Sequence, residues 1–217
     1  MMAELVIWGA GGHGKVVFDT AVAMGYSRIR LIDDCAPARA ELYGCAIAAP
    51  PVDMQPTGAT VEFAVEFVVA IGDNRARARC YSRALRQGWT PATLIHPSAE
   101  VSPHSEISPG CVVLPRAVIN AGAVVGLNSI VNTGAIVEHD CRLLSHVHIS
   151  PSATLGGGVE VGAFAHVGMG ACVLPGCRIG ADSIVGAGAV ILASIPDAVT
   201  AAGVPARILS RSKAGAR

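Results

Sequence analysis

The C-terminal half of the chain repeats with a period of six. Counted in sixes from Ile95, seventeen consecutive positions up to Ile191 hold Val, Ile or Leu, and Asp197 ends the series. Four residues after each anchor stands a small or β-branched residue, among them Ala99, Cys111, Ala123, Ala135, Cys141, Ala153, Ala165, Cys177 and Ala189. Gly, Asn or Ser often follows the anchor directly, as at Asn120, Gly126, Asn132, Gly162 and Gly180. An α-helix repeats its faces every ~3.6 residues and a flat strand every two, so neither explains this period. Short strands joined by corners do, with three sides to a coil of about 18 residues. In such a column the large aliphatic fills the interior and the small residue fits where the walls crowd together. The Gly and Asn residues after the anchors are expected to supply left-handed backbone angles at the corners. Residues one coil apart then stack at about the 4.8 Å strand spacing. The repeated length gives about five coils, each covering the core of its neighbours.

The pattern before residue 93 is different. Leu5 to Trp8 is an apolar run that reads as a strand, followed by the glycine-rich Gly9-Ala10-Gly11-Gly12-His13-Gly14. Lys15 to Met24 reads as an amphipathic helix, Ile29 to Ile32 as a second strand ending in Asp33-Asp34, and Phe67 to Ile71 as a third ending in Gly72-Asp73-Asn74. Arg75 to Gln87 reads as a helix stopped by Gly88. This is a half-Rossmann-like α/β unit with ligand loops at the carboxyl ends of its strands. Gly9, Gly11 and Gly14 match a dinucleotide fingerprint, and Asp33 stands near the place where that fingerprint puts its acidic residue. Backbone N–H groups at a helix start attract phosphate, so the motif points to a phosphate-bearing ligand, with a tight turn and no ligand as the alternative. A dinucleotide cofactor is disfavoured, because a domain of about 90 residues leaves no room for a dehydrogenase half. The expected organisation is residues 1–92 as an α/β ligand-binding domain, 93–196 as the column and 197–217 as a C-terminal extension.

Composition narrows the field. Lys plus Arg equals Asp plus Glu at 16 each, and a net charge of zero argues against a nucleic-acid partner, which needs a basic stripe. Hydrophobic residues reach 52% and charged ones only 15%, so part of the surface is expected to be covered by another subunit. No apolar stretch is long enough for a membrane span and the start of the chain lacks a signal-peptide pattern. Seven cysteines without a C-x-x-C pair fit free thiols in a reducing cytoplasm, with Cys111, Cys141 and Cys177 as inward packing residues. The basic tail of Arg207, Arg211, Lys213 and Arg217 reads as a solvated, frayed end.

The two halves together resemble one branch of the hexapeptide-repeat acyltransferases, the bacterial sugar acetyltransferases of the PglD, NeuD and perosamine N-acetyltransferase type. The resemblance is carried by Gly-Ala-Gly-Gly-His-Gly-Lys at 9–15, Leu-Ile-Asp-Asp at 31–34, Ala-Ile-Gly-Asp-Asn at 70–74 and Leu-Ile-His-Pro-Ser-Ala at 94–99. It continues in Asn-Thr-Gly-Ala-Ile-Val-Glu-His-Asp-Cys at 132–141 and Gly-Val-Pro-Ala-Arg at 203–207. It implies a left-handed parallel β-helix, a homotrimer with sites between subunits, acetyl-CoA as co-substrate and a nucleotide-linked amino sugar as acceptor. By the same match Gly11, Gly12, His13, Asp33, Asp34 and Gly72 would line the acceptor site, His139 would be the general base, and His148 would contact acetyl-CoA. Backbone at Gly157, Met169 and Ala187 would hold the CoA arm. The acid after the histidine, often Glu in relatives, is here Asp140, one methylene shorter.

His139 lies two positions after anchor Val137 and so should sit on the outer wall, flanked by Glu138 and Asp140. A carboxylate on one ring nitrogen fixes the tautomer and makes the other nitrogen more basic. This predicts direct acetyl transfer, with the sugar amine attacking the thioester while His139 removes its proton. His148 and His166 are one coil apart and should stack; without a third ligand at obvious spacing they do not predict a metal site. His104 and His146 carry no expected role. Sialic-acid-type O-acetylation and a non-catalytic trimeric scaffold are the competing readings.

Overall fold

The computed structural model describes residues 4–35, 37, 40–50 and 65–211. The N-terminal region is a sheet whose strands are β1 (Glu4–Trp8), β2 (Ile29–Ile32), β3 (Glu41–Leu42), β4 (Cys45–Ala48), β5 (Val65–Val69) and β6 (Thr90–Pro91). Their order is β3-β4-β2-β1-β5-β6, parallel except for the β3–β4 hairpin. Successive side chains of β1 point to opposite faces. Leu5 and Ile7 pack beneath helix α1 (Gly12–Ala23) with Val17 and Ala21, whereas Val6 and Trp8 pack beneath helix α2 (Asn74–Arg86) with Cys80, Tyr81 and Ala84. A sheet covered on both faces needs continuous apolar strands, which is how residues 5–8 of β1 and 67–69 of β5 read.

Two boundaries differ from the sequence reading. Helix α1 begins at Gly12, inside the glycine motif, and β5 spans Val65–Val69 rather than reaching Ile71. The β3–β4 hairpin has no alternating pattern long enough to predict it. Its turn residues Tyr43 and Gly44 both have positive φ, as the tight hairpin turns require.

From Leu94 the chain winds into a three-walled parallel β-helix of two-residue strands. The first wall runs from Leu94–Ile95 to Ile184–Val185 in six strands. The second runs from Glu100–Val101 to Val190–Ile191 in six, and the third from Glu106–Ile107 to Arg178–Ile179 in five. The column is therefore nearly six coils long. In-register partners lie one coil apart, as in the series Val112, Ile130, His148 and His166. From Val113 onward the aliphatic anchors are buried in the interior together with Ala117, Ala135, Cys141, Ala165 and Cys177. The Cys111 and Cys141 thiols donate to the Gly126 and Gly156 carbonyls at 3.2 Å, and burial pushes the Cys111 thiol up to about 11. They are packing residues.

The corners correct one expectation. From Gly110 to Gly188 every sixth residue has positive φ, but this is the third residue after the anchor, not the first. Residues at the first position answer to a different constraint. A Cβ added at Gly162 would collide with the Ala181 backbone nitrogen of the next coil, so the small residue there permits stacking rather than a left-handed turn. The tail also differs from a frayed end. Val199–Gly203 joins the first wall and pairs antiparallel with Ala206–Arg211, which places Arg207 and Arg211 in a strand; Lys213 and Arg217 lie outside the described residues.

The residue before each anchor faces outward and shows what covers each wall. On the third wall these are Glu106, Val124, Arg142, Glu160 and Arg178, and charges of opposite sign stand side by side from Arg142 to Arg178. On the first wall they include Leu94, Val112, Ile130 and His148, all four buried. Leu94 and Val112 join the α1 core, and residues of α2 dock further along the wall. The joint centres on Arg77, which is 1% exposed. Its guanidinium donates to the carbonyls of Ile71 and Gly72 (3.1 and 3.2 Å), to Asn74 Oδ1 (2.7 Å), and to the carbonyls of Asn128, His146 and Val147 (2.9, 2.9 and 3.2 Å). Asn74 extends the joint to the Phe164 and Ala165 carbonyls at 2.8 and 3.0 Å. Replacing Arg77 by Met would leave several of these buried acceptors unpaired. Arg77→Met is expected to lower unfolding free energy by on the order of 3 kcal/mol, read by chemical denaturation; unchanged stability would show that the joint is not held this way.

Candidate active site

Two sites emerge, on opposite sides of one chain. The first is a cavity of about 670 Å³ at the carboxyl ends of β1, β2 and β5. It lies where the sheet is entered from β1 in both directions, to β2 on one side and β5 on the other, the usual place for a ligand in an open α/β sheet. The structure brings Gly11, Gly12, His13, Asp33, Asp34 and Gly72 together around it. Gly14 lets the loop close, since a Cβ there would collide with the Gly9 carbonyl oxygen. Gly11 caps α1 without a side chain and the first turn holds no acid, so the N–H groups of that turn remain available. Helix α2, in contrast, is capped by Asp73 Oδ1, which accepts from the Ala76 N–H at 2.7 Å.

Both acids have internal partners. Asp33 accepts from the N–H groups of Ala10 and Cys35 at 2.8 Å and braces the loop. Asp34 accepts from Trp8 Nε1 at 2.8 Å and Arg83 Nη1 at 2.7 Å, while the Arg83 guanidinium lies 4.6 Å from the Trp8 ring centroid. Burial opposes ionisation of Asp34, but the bonds from Arg83 and Trp8 outweigh it and hold its carboxyl below the ordinary range. Trp8, Arg79, Cys80 and Arg83 also line the cavity, and sequence reasoning misses them. Their signal is the spacing 76, 79, 80, 83, one stripe of α2 facing the last residue of β1.

Beneath the cavity three imidazoles form a row. His13 lies 6.2 Å from His148, which stacks on His166 at 4.7 Å with the planes 13° apart. His148 Nδ1 faces the Gly72 carbonyl oxygen at 3.2 Å, so that nitrogen carries the proton, and Nε2 accepts from Asn132 Nδ2 at 3.0 Å. His166 Nε2 bonds Ser150 Oγ at 2.7 Å. Burial, reinforced by neighbouring His166 and Arg77, pushes His148 down to about 3; burial and Arg77 push His13 down to about 4. His146, stacked on Phe164 at 4.9 Å, falls to about 4 through burial and the charges of Arg77 and Arg75. His13 Nε2 is buried without a hydrogen-bond partner among the described residues.

The second site is at the corner between the second and third walls, the one corner that the first wall does not touch. Here Asp140 takes the left-handed position with φ +59, a conformation Asp adopts more readily than most residues. Its Oδ2 lies 2.8 Å from His139 Nδ1. The carboxylate accepts, so Nδ1 carries the proton and the lone pair is on Nε2. The hydrogen bond to Asp140, with the charges of Asp140 and Glu138, raises the His139 pKa above the ordinary value. Glu138 is fixed by Asn120 Nδ2 at 2.9 Å, one coil below, and accepts from the His139 N–H at 3.3 Å. Two glycines make room: a Cβ at Gly122 would sit 2.5 Å from Asp140 Oδ1, and one at Gly157 would sit 2.5 Å from His139 Nε2. The imidazole is exposed at this corner. Met169 and Ala187 are exposed too, stacked one coil apart on the corner between the first and second walls. The sequence-predicted residues thus fall in three places: around the cavity with His148 below it, at the His139–Gly157 corner, and at the Met169–Ala187 corner.

Residues 4–84 match the PglD N-terminal domain family, and residues 158–193 match the bacterial transferase hexapeptide family of six repeats. Among solved structures, an alanine-for-histidine variant of GDP-perosamine N-acetyltransferase from Caulobacter crescentus, in complex with CoA and GDP-perosamine, is 40% identical. The alignment covers 97% of this chain and 98% of that one, with a TM-score of 0.88. The acetyltransferase domain of PglB from Neisseria gonorrhoeae, in complex with acetyl coenzyme A, is also 40% identical. Here 96% of this chain and 100% of that one are covered, with a TM-score of 0.88. The chain belongs to the hexapeptide-repeat sugar acetyltransferases with a PglD N-terminal domain. The column is accordingly the left-handed β-helix of that superfamily. WeeI from Acinetobacter baumannii, at 23% identity and a TM-score of 0.68, shares the fold. Among the described residues no helix is long and apolar enough to cross a membrane.

The contrast between the carboxylate-linked histidine and the buried ones is open to direct measurement. In an NMR titration the His139 ring should titrate above the ordinary imidazole value. In Asp140→Asn, which removes the charge and the strongest acceptor, its midpoint should move down. An unmoved midpoint would mean that Asp140 does not set the basicity of the ring.

Proposed function

We propose that this chain is an acetyl-CoA-dependent N-acetyltransferase acting on the 4-amino group of a GDP- or UDP-linked amino-deoxy sugar, in cytoplasmic synthesis of a surface glycan. The observation that carries the catalytic assignment is a divergence of environments. Of the five histidines whose pKa departs from the ordinary value, His139 alone moves up, while His13, His146, His148 and His166 move down. Groups pushed apart in this way identify the base. His139 also offers a free Nε2 lone pair at an exposed corner, whereas both nitrogens of His148 are engaged inside the joint.

The reaction runs by direct transfer. The acceptor amine attacks the thioester carbon, His139 Nε2 takes the amine proton, and CoA leaves as the thiol once that proton is passed on. Asp140 holds the imidazole in the right tautomer and steadies the imidazolium that forms. Relatives crystallised with CoA and GDP-perosamine, and with acetyl-CoA, support the choice of donor and acceptor. In this reading residues 1–92 hold the acceptor, 93–196 form the transfer column and 197–217 extend it. His148 tethers the acceptor loop through Gly72 and contacts acetyl-CoA, whose arm runs along Gly157, Met169 and Ala187.

The placement of the two sites supports a homotrimer. Within one chain the cavity borders the first wall, and His139 occupies the corner opposite that wall. A sugar held in the cavity would therefore reach His139 of a neighbouring copy. The second wall suits such a contact, since its outward row includes Val118, Ile136 and Val190 alongside Glu100 and Thr154.

Thiol release from acetyl-CoA, measured with GDP- and UDP-linked 4-amino sugars, tests the reading. His139→Ala should lower kcat by roughly 10²–10⁴-fold with the melting temperature unchanged. The kcat/KM profile should rise with pH through the His139 pKa, because the base must be unprotonated, and the rise should move to lower pH in Asp140→Asn. Co-expression of His139→Ala with Gly12→Trp, which fills the cavity of the other copy, should restore part of the activity that neither variant has alone. Full turnover by His139→Ala would leave the column as a scaffold.

A further inference from the structure

We propose that Arg79 is the residue that grips the diphosphate of the acceptor, an inference that rests on the acceptor reading of the cavity. Helix α2 carries arginines at positions 75, 77, 79, 83 and 86; Arg86 is exposed and lies outside the cavity lining, and the other four meet different fates. Arg75 bonds Asp182 Oδ1 from its Nε at 3.1 Å and lies over the Phe164 ring at 3.8 Å. Arg77 is consumed by the carbonyl groups of the joint. Arg83 is paired with Asp34. Arg79 lines the cavity, is exposed, and has no hydrogen bond or ion pair among the described residues.

The other charges around the cavity are already satisfied. Asp33 accepts two backbone N–H groups, Asp34 is neutralised by Arg83, and His13 is held neutral by burial. Among the described residues one uncompensated cation remains, in a cavity that also contains the first turn of α1, which no side chain caps. A positively charged fork beside unused N–H groups suits a doubly anionic, oxygen-rich ligand. On that stripe the preceding turn of α2 contributes only the small Ala76 to the lining, and Arg79 shares the cavity with Gly9, Gly11 and Gly12. An ordinary surface arginine would be indifferent to nucleotide, and that difference can be measured without catalysis.

Calorimetric titration of the intact protein with GDP, UDP and CoA separates the possibilities. Arg79→Gln should weaken GDP and UDP by about ten- to hundredfold and leave CoA unchanged, and Arg79→Lys should recover part of the loss. The salt dependence of diphosphate binding should also be shallower in Arg79→Gln. Binding of GDP and UDP by Arg79→Gln at wild-type strength would overturn the inference while leaving the acceptor reading intact. Equal weakening of CoA would overturn it as well, because the change would then not be specific to the cavity. If the wild-type protein bound neither diphosphate, the acceptor reading itself would fall and this inference with it.

Discussion

The whole molecule depends on each coil stacking in register on the one before it. Backbone groups must meet their partners in the next layer, and from Gly110 to Gly188 the third residue after each anchor turns through left-handed angles at the corner. This constraint selects more than the interior. It brings Asn120 beneath Glu138, Gly122 beneath Asp140 and Gly157 above His139, so that residues far apart in sequence become one constellation. The histidine and its acid need no loop or helix to hold them; the corner fixes them between two coils. Asp140 is where backbone and chemistry coincide, because the position that demands a left-handed residue is also the one that reaches the ring.

The second organising element is the joint between the two halves. A buried arginine with no carboxylate partner among the described residues is tolerated because its donors meet carbonyls from both halves. Burial, and after it the same positive charge, discourages protonation of His13, His146, His148 and His166. The joint therefore has an electrostatic as well as a mechanical role. It keeps the row of rings uncharged, and it couples the Gly72 loop of the cavity to the first wall through His148.

Much of this is legible in the chain. The six-residue period predicts the column, its inward cysteines and the stacking of His148 on His166, because a period transmits directly into neighbours. The glycine motif and the Asp33-Asp34 pair locate the cavity, since strand ends collect ligand loops. What the pattern cannot reveal are contacts that cross between halves. Nothing in the spacing around Arg77 says that it is buried, because an arginine at that place on a helix looks like solvated surface. The partners of Asp34 are hidden for the same reason: Trp8 and Arg83 are distant in sequence and meet only when β1 and α2 pack. The corner position is misread from sequence because glycine answers two needs, close approach and unusual φ, and composition alone does not distinguish them.

The outward rows of the three walls are chemically unlike, one apolar and domain-covered, one mixed, one charged. Insertions in the column are therefore not interchangeable. Three added hexads would lengthen the prism by one full layer and leave every downstream side chain on its own face. A single added hexad would preserve the interior equally well yet rotate everything above the insertion by one face, bringing charged outward residues under the α/β domain and carrying buried ones into water. The evolution of column length in such a molecule is thus quantised by its exterior, not by its core.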